Sequence, residues 1–304
     1  MSTRATGVVL ALFTATISGV AVFLNGYAVK RFDDATVYTT AKNGVAGLLL
    51  VLLALPLLRA PQRGRRPAAS PRSAAQWLAL LAVAVVGGSV PFVLFFEGLA
   101  RASSTQAAFI HKTLVVWVAL LAVPLLKERL SWAHFAAIGL LVAGQLVLAG
   151  DAGIVSVGSG ELMILAATLL WAIEVVFVKR LLDSLAAPTL ATARMGIGTL
   201  VLVGFVAVSG RWSDLAGLGG PQWGWALLTG VVLAGYVATW YAALARAQAV
   251  DVTAVLVLGA VVTALLDRGI EGAPLDVLGV GLIALGGAVA ALRVLYPPPR
   301  PLPA

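Results

Sequence analysis

The chain contains no cysteine, so neither a disulfide nor thiolate chemistry is open to it, and its compartment cannot be read from redox logic. Charge is scarce: 11% of its 304 residues are Asp, Glu, Lys or Arg, where a soluble domain carries about 25%. There is no GxxxxGK[ST] run, which excludes direct drive by ATP on this chain, and no HExxH pair of metal ligands. A Gly-x-Ser-Gly nucleophile turn is also missing; around Ser89 the chain reads Gly-Gly-Ser-Val. What is present is apolar mass. Hydrophobic residues make up 61% of the chain and the mean hydropathy is +1.00. That exceeds what one core can bury, and the bilayer is the natural solvent for it.

About 20 mostly apolar residues span a membrane. Ten runs qualify: Val8–Val29, Ala35–Leu57, Trp77–Leu99, Ser104–Leu126, Trp132–Gly150, Glu161–Leu181, Pro188–Val208, Trp223–Ala245, Val250–Leu266 and Pro274–Leu295. They are apolar throughout rather than alternating, which predicts helices and not a barrel: an all-α polytopic membrane protein. The start, MSTRATGVVLALFTATISG, has the Arg-then-apolar order of a signal peptide, but the run continues and is read as a retained first span. With both termini placed in the cytoplasm, thirteen Lys and Arg fall in inner segments and five in outer ones. The net charge of +8 is therefore a topology signal, expected of a bacterial-type inner membrane, and not the mark of a nucleic-acid partner. Trp77, Trp132, Trp212, Trp223 and Tyr296 lie at span ends, as interfacial anchors do.

Three cations remain inside spans: Lys42, Lys112 and Arg194. Two of them are related. TTAKNGVAGLLLV aligns with ATARMGIGTLVLV, placing Lys42 on Arg194 at an offset of 152 residues. Leu99–Ala102 recurs as Leu244–Ala247 at an offset of 145, placing Gln106 on Asp251, and the VKR at 29 recurs at 178, placing Asn25 on Glu174. The chain thus divides into a five-span unit over 1–150, a second copy over 151–296, and a Pro-rich tail over 297–304. Five is odd, so the second copy should enter the membrane from the opposite side, the inverted repeat common among secondary transporters.

With ten spans as five plus five, and with ASSTQAAFIHKTLVVWVALLAVPLLKERLSWAHFAAIGLLVAGQLVLAG at 102–150 and LLWAIEVVFVKRL at 169–181, the chain resembles the EamA family of the drug/metabolite transporter superfamily, within it bacterial amino-acid exporters of the YddG type. It departs from the family pattern in the second copy, where the turn reads LDRGIEGAPLD, and in span four, where LVVWVAL replaces a proline. The resemblance implies a carrier and not an enzyme, export rather than import, and no cofactor.

A cation buried in a span costs roughly 2.5–3.5 kcal/mol and needs a partner or water. Depth and the repeat nominate Asn25, Glu97 and Gln106 around Lys42, and Glu174 and Asp251 around Arg194, as two gating clusters. The alternative is that each cation snorkels to its nearer interface, with Glu97 in an i,i+4 pair to Arg101. Glu174 is the first candidate for proton coupling. Ser89, Phe92, Phe96, His111, Trp117, Trp171, Tyr236 and Trp240 are expected to line a substrate cavity, apolar with few polar groups. The GGSVP run at 87–91 should break span three, and the Gly139/Ala143 spacing should mark a helix contact. The expected function is secondary transport of small metabolites, foremost amino acids. Drugs or organic cations on the same fold, and an intramembrane enzyme using Ser89 and His111, are the alternatives. Phosphorylated cargo is disfavoured if Lys42 and Arg194 lie apart. Monomer or oligomer is left open.

Overall fold

In the computed structural model, which describes residues 2–59, 70–102, 104–149 and 158–295, no extended strand occurs among the described residues. The helices are α1 (Thr3–Ala28), α2 (Ala35–Arg59), α3 (Ala74–Gly88), α4 (Val90–Leu99), α5 (Ser104–Lys112), α6 (Leu114–Leu126), α7 (Trp132–Ala149) and α8 (Ser159–Leu181). They continue with α9 (Ala187–Thr192), α10 (Gly198–Val208), α11 (Trp212–Ala216), α12 (Gly220–Leu244), α13 (Ala249–Leu256), α14 (Gly259–Leu266) and α15 (Val277–Leu295). Among the described residues nine helical runs are long and apolar enough to cross a membrane, and a tenth apolar stretch, Trp132–Leu148, is shorter. The chain is a multi-pass membrane protein.

Local chemistry sets the ends. Ser2 and Ser73 accept from the amides of Ala5 and Gln76 at the starts of α1 and α3 (both 3.2 Å). Asp34 and Asp276 do the same for Val37 and Gly279 (both 2.9 Å). Lys127, with φ 55°, closes α6 in the left-handed region. The third span breaks at Ser89, as GGSVP predicts. The fourth and ninth spans were expected to be continuous. They break at Thr113, between α5 and α6, and at Val257–Leu258, between α13 and α14. Thr113 and Leu258 are 145 residues apart, the offset of the sequence repeat in this region. Thr113 has no glycine or proline beside it, and the second break has a single glycine, Gly259, at the start of α14.

Packing follows the same correspondence. Helix α1 lies along α12, and its counterpart α8 lies along α4 and α3. α8 also contacts α5 and α6, as α1 contacts α13 and α14. α7 packs on α15, each the last span of its unit. Polar contacts group the helix ends on two faces. On one face Arg4 meets Asp251 (2.7 Å), Glu128 accepts from the amides of Ala249 and Val250 (2.7 and 3.1 Å), Lys179 donates to the carbonyls of Leu244 and Ala247 (2.6 and 2.7 Å), and Arg293 donates to Ser131 (3.2 Å). On the other, Arg211 meets Asp34 (3.3 Å) and Glu97 (3.1 Å), and Tyr27 donates to Glu271 (2.5 Å). The start of α1 and the end of α15 share the first face. Trp77, Trp132, Trp212 and Trp223 are exposed; Tyr296 lies outside the described residues.

Close approach depends on small residues. A Cβ on Gly160 would meet the Gly98 carbonyl at 2.9 Å and the Ala102 amide at 3.0 Å; one on Gly7 would meet Ala247 at 2.8 Å. The Gly139/Ala143 expectation is corrected: Gly139 has nothing within 4 Å of an added Cβ, and the α7–α15 contact is made by Gly144, where a Cβ would meet the Gly279 carbonyl at 2.8 Å. Gly139 stands five residues before Gly144, more than a full turn, and so lies on a different part of the helix surface from the seam. Gly160→Ala should therefore cost about 1–3 kcal/mol through overpacking against backbone, read as a fall in Tm in detergent. Gly139→Ala should leave Tm unchanged or slightly raised.

Candidate functional site

Span three organises the site. In a regular helix the Gly87 carbonyl would accept from the amide four residues on, but that residue is Pro91, which has no N–H. The freed carbonyl takes two donors from the other half: Trp171 Nε1 at 3.1 Å and Arg194 Nε at 3.2 Å. Asn43 donates to the Gly88 carbonyl at 3.4 Å. Ser89 spends its hydroxyl on the carbonyls of Ala84 and Val85 (3.0 and 3.2 Å), so it serves the break itself and is buried. Glycine is required here: a Cβ on Gly88 would lie 1.9 Å from the Arg194 carbonyl, and one on Gly87 2.7 Å from Glu174.

Arg194 is 5% exposed and lies in a π-helical turn, Ala193–Ile197. Its guanidinium is 3.7 Å from Glu174, which also accepts from the Tyr241 hydroxyl. Lys42 is 2% exposed. Its ammonium sits 4.1 Å from the Phe96 ring centre and 4.8 Å from that of Tyr38, and reaches Asn25 at 3.4 Å; Asn25 also accepts from the Tyr38 hydroxyl. Among the described residues no carboxylate lies within ion-pair distance of Lys42, so ring quadrupoles supply the compensation. Neither cation snorkels. Lys42 and Arg194 also approach one ring in common, Phe92, at 5.8 and 5.9 Å. The separation invoked against phosphorylated cargo is therefore smaller than the sequence suggests.

The two groups correspond under the repeat. Asn25 and Glu174 are equivalent, as are Lys42 and Arg194, and Phe96 falls on Tyr241 at the offset of 145. Two nominated partners lie elsewhere. Glu97 joins Arg101 (2.9 Å), Arg211 and Thr36 (2.7 Å) at one face, the i,i+4 pair extended by α2 and by the connection between α10 and α11. Asp251, buried at the start of α13, holds Arg4 and His134 (3.0 Å) at the other face. Each stands within a turn of a helix end, too shallow for the central cations. The side chain of Gln106 lies outside the described residues.

Of the expected cavity residues, Phe92 stands edge-on to Trp171 (5.4 Å), and Trp171 also meets the His111 ring at 5.0 Å. His111 Nδ1 is buried without a hydrogen-bond partner among the described residues. Tyr236 stacks on Trp240 at 6.1 Å. Trp117 donates to Thr113 at 3.0 Å, across the break of span four. Lys42 and Arg194 are buried beside a common aromatic wall, and none of the eight residues expected to line a cavity borders the hollow of about 490 Å³ between α2, α9 and α12. The arrangement carries no nucleophile–base pair, because Ser89 is committed to backbone.

The profile of the EamA-like transporter family matches residues 5–150 and again residues 158–294. The chain belongs to this family. An "Uncharacterized transporter" of Archaeoglobus fulgidus is 28% identical over 220 residues, covering 70% of this chain and 74% of that one. A solved crystal structure at 19% identity superposes with a TM-score of 0.76 over 95% of this chain and 99% of its own, a likeness of fold alone. This EamA-family chain is thus a transporter of the drug/metabolite type.

The sequence missed Tyr241, Tyr38, Arg4, His134 and Glu128. Tyr241 was within reach, since the repeat that relates Arg101 to Arg246 also relates Phe96 to it. The others require knowing which helix ends are neighbours. Breaking a buried pair strands its partner, so Arg194→Met should destabilise the transporter by about 3–5 kcal/mol. Adding Glu174→Gln should restore most of that loss in a double-mutant cycle of thermal unfolding. Strictly additive losses would mean the two groups do not interact.

Proposed function

We propose that this EamA-family transporter exports small metabolites, foremost amino acids, across a bacterial-type inner membrane by alternating access of two inverted five-helix repeats. The observation that carries the proposal is the central charge count: Lys42 and Arg194 approach one shared ring, and Glu174 is paired with Arg194 alone. One surplus positive charge beside Phe92, Phe96 and Trp171 suits a carboxylate attached to an apolar side chain, and repels an organic cation. The paired family match, the repeat-related helix contacts, and the grouping of equivalent helix ends on opposite faces support inversion. The Arg4–Asp251 and Arg211–Glu97 contacts serve as the two seals that open in turn, with both termini on the cytoplasmic side. Glu174 carries the proton if transport is coupled to one.

Purified transporter in proteoliposomes, offered labelled amino acids and labelled organic cations, should pass the former. Lys42→Met should cut amino-acid flux about tenfold or more, as loss of one charge-assisted contact predicts. Cation flux without amino-acid flux would overturn the cargo assignment. Glu174→Gln should abolish acceleration by a pH gradient while leaving counterflow intact, whereas flux indifferent to the gradient in the parent protein removes Glu174 from coupling.

Alternating access is tested separately. The parent chain has no cysteine, so pairs introduced at Arg4 with Asp251, and at Asp34 with Arg211, can be bridged cleanly by a short bis(methanethiosulfonate) reagent, each thiolate displacing methanesulfinate to form a reducible disulfide. Bridging either pair should stop net flux and reduction should restore it. Undiminished flux through a bridged transporter would exclude the mechanism.

A further inference from the structure

A cavity of about 490 Å³ opens at the first face between the end of α2, the start of α9 and the end of α12. Its wall includes Leu50, Leu53, Ala186, Pro188, Ala242 and Arg246. The repeat explains why there is a hollow. At the opposite face the equivalent positions are filled: Ala242 corresponds to Glu97 at the offset of 145, and Ala186 and Pro188 to Asp34 and Thr36 at the offset of 152. There Thr36 and Arg211 close on Glu97, and Arg211 on Asp34, sealing the space with polar side chains. Here the carboxylates and the hydroxyl are replaced by two alanines and a proline.

The cations were not replaced. Arg246 corresponds to Arg101, and Arg59, the last residue of α2, corresponds to Arg211. Arg101 donates to both the carbonyl (2.5 Å) and the carboxylate (2.9 Å) of Glu97 four residues before it. Arg246 makes the same carbonyl contact, to Ala242 at 2.7 Å, but position 242 offers no carboxylate. Among the described residues no acid lies within ion-pair distance of Arg246. The hollow thus combines an apolar wall with an exposed arginine just past the end of α12.

We propose that this hollow holds one acyl chain of an anionic phospholipid, with the headgroup phosphate on Arg246 in the role that Glu97 plays for Arg101. A lipid fits better than a solute for two reasons. Leu53 in the wall is 67% exposed, and Leu48 and Leu52 of the same helix are 61% and 51% exposed, which places this side against acyl chains. Arg246 sits at the helix end, the depth of headgroups, and the face is the Arg-rich one where anionic lipid is expected to be concentrated.

Native mass spectrometry of delipidated transporter, titrated with phosphatidylglycerol and phosphatidylcholine of identical chains, tests this. The parent should retain one phosphatidylglycerol about tenfold more tightly than phosphatidylcholine, the scale of one charge-assisted contact. Arg246→Gln, at an exposed position, should erase that preference while keeping the chain bound. Ala242→Glu should rebuild the seal of the opposite face and lower retention of both lipids. Equal retention of the two lipids by the parent, or unchanged retention in both variants, overturns the proposal. So does displacement of the bound lipid by an amino acid, which would make the hollow part of the transport route. A change of oligomeric state in Ala242→Glu with no change in lipid count would assign the hollow to a second copy of the chain, and equally overturns it.

Discussion

A carbonyl with no amide to take it holds the centre of this protein together. Lipid supplies no water to a backbone acceptor that its helix leaves open. Pro91 opens the Gly87 carbonyl, and Trp171 and Arg194 close it. Because both donors belong to the second half, the broken span of the first half is bound to the second by that one oxygen. The same contact fixes Arg194. With Nε committed to Gly87, the far nitrogen is left to Glu174, and Glu174 is left to Tyr241. A proline four residues downstream of a glycine thereby specifies where a buried cation, an acid and a phenol come to rest.

The two halves use one skeleton with different chemistry. Lys42, Asn25 and Phe96 occupy the places that Arg194, Glu174 and Tyr241 occupy in the second half. A neutral amide and aromatic faces satisfy the first cation; a carboxylate and a hydroxyl satisfy the second. The seals differ in the same way. One face is held by Glu97, whose equivalent is Ala242, and the other by Asp251, whose equivalent is Gln106. Each face therefore has acid gripped by arginine, Asp251 by Arg4 at one and Glu97 and Asp34 by Arg211 at the other. Under the proposed alternating access, comparable contacts at both faces keep two states close in free energy, and a modest differential in substrate binding is then enough to shift between them.

The multi-pass helical character and the buried cations Lys42 and Arg194 were legible because apolar runs and isolated charges stand out in a sequence of this composition. The family is legible from the same segments. Partner choice was not. Glu97 and Asp251 were grouped with the central cations by the half of the bilayer they share, but a few residues of depth and the identity of the neighbouring helix decide the contact. Arg211 and Arg4 reach these acids from other spans, and no spacing along one helix encodes that adjacency. The breaks at Thr113 and at Leu258 escaped for a related reason: Thr113 has no glycine or proline beside it, Leu258 has one glycine among the many that apolar spans carry, and it is their recurrence at one offset that pairs them. Gly139 failed as a packing residue because a small side chain reports nothing about which way it faces.

The π-helical turn at Arg194 has no counterpart at Lys42, where α2 runs as a regular helix. Extra residues in a turn weaken its hydrogen bonding, and such turns are rare unless something retains them. Here the retaining contact is visible. The Arg194 carbonyl presses so close to Gly88 that no Cβ could fit, and Gly198 packs on the Gly88 backbone. The bulge lets the second half approach the broken span closely enough for Arg194 Nε to reach the Gly87 carbonyl. Break and bulge are thus two halves of one fit, one in each repeat. The break lies in the first family-matched segment and the bulge in the second, and the bend in one is what meets the open carbonyl of the other.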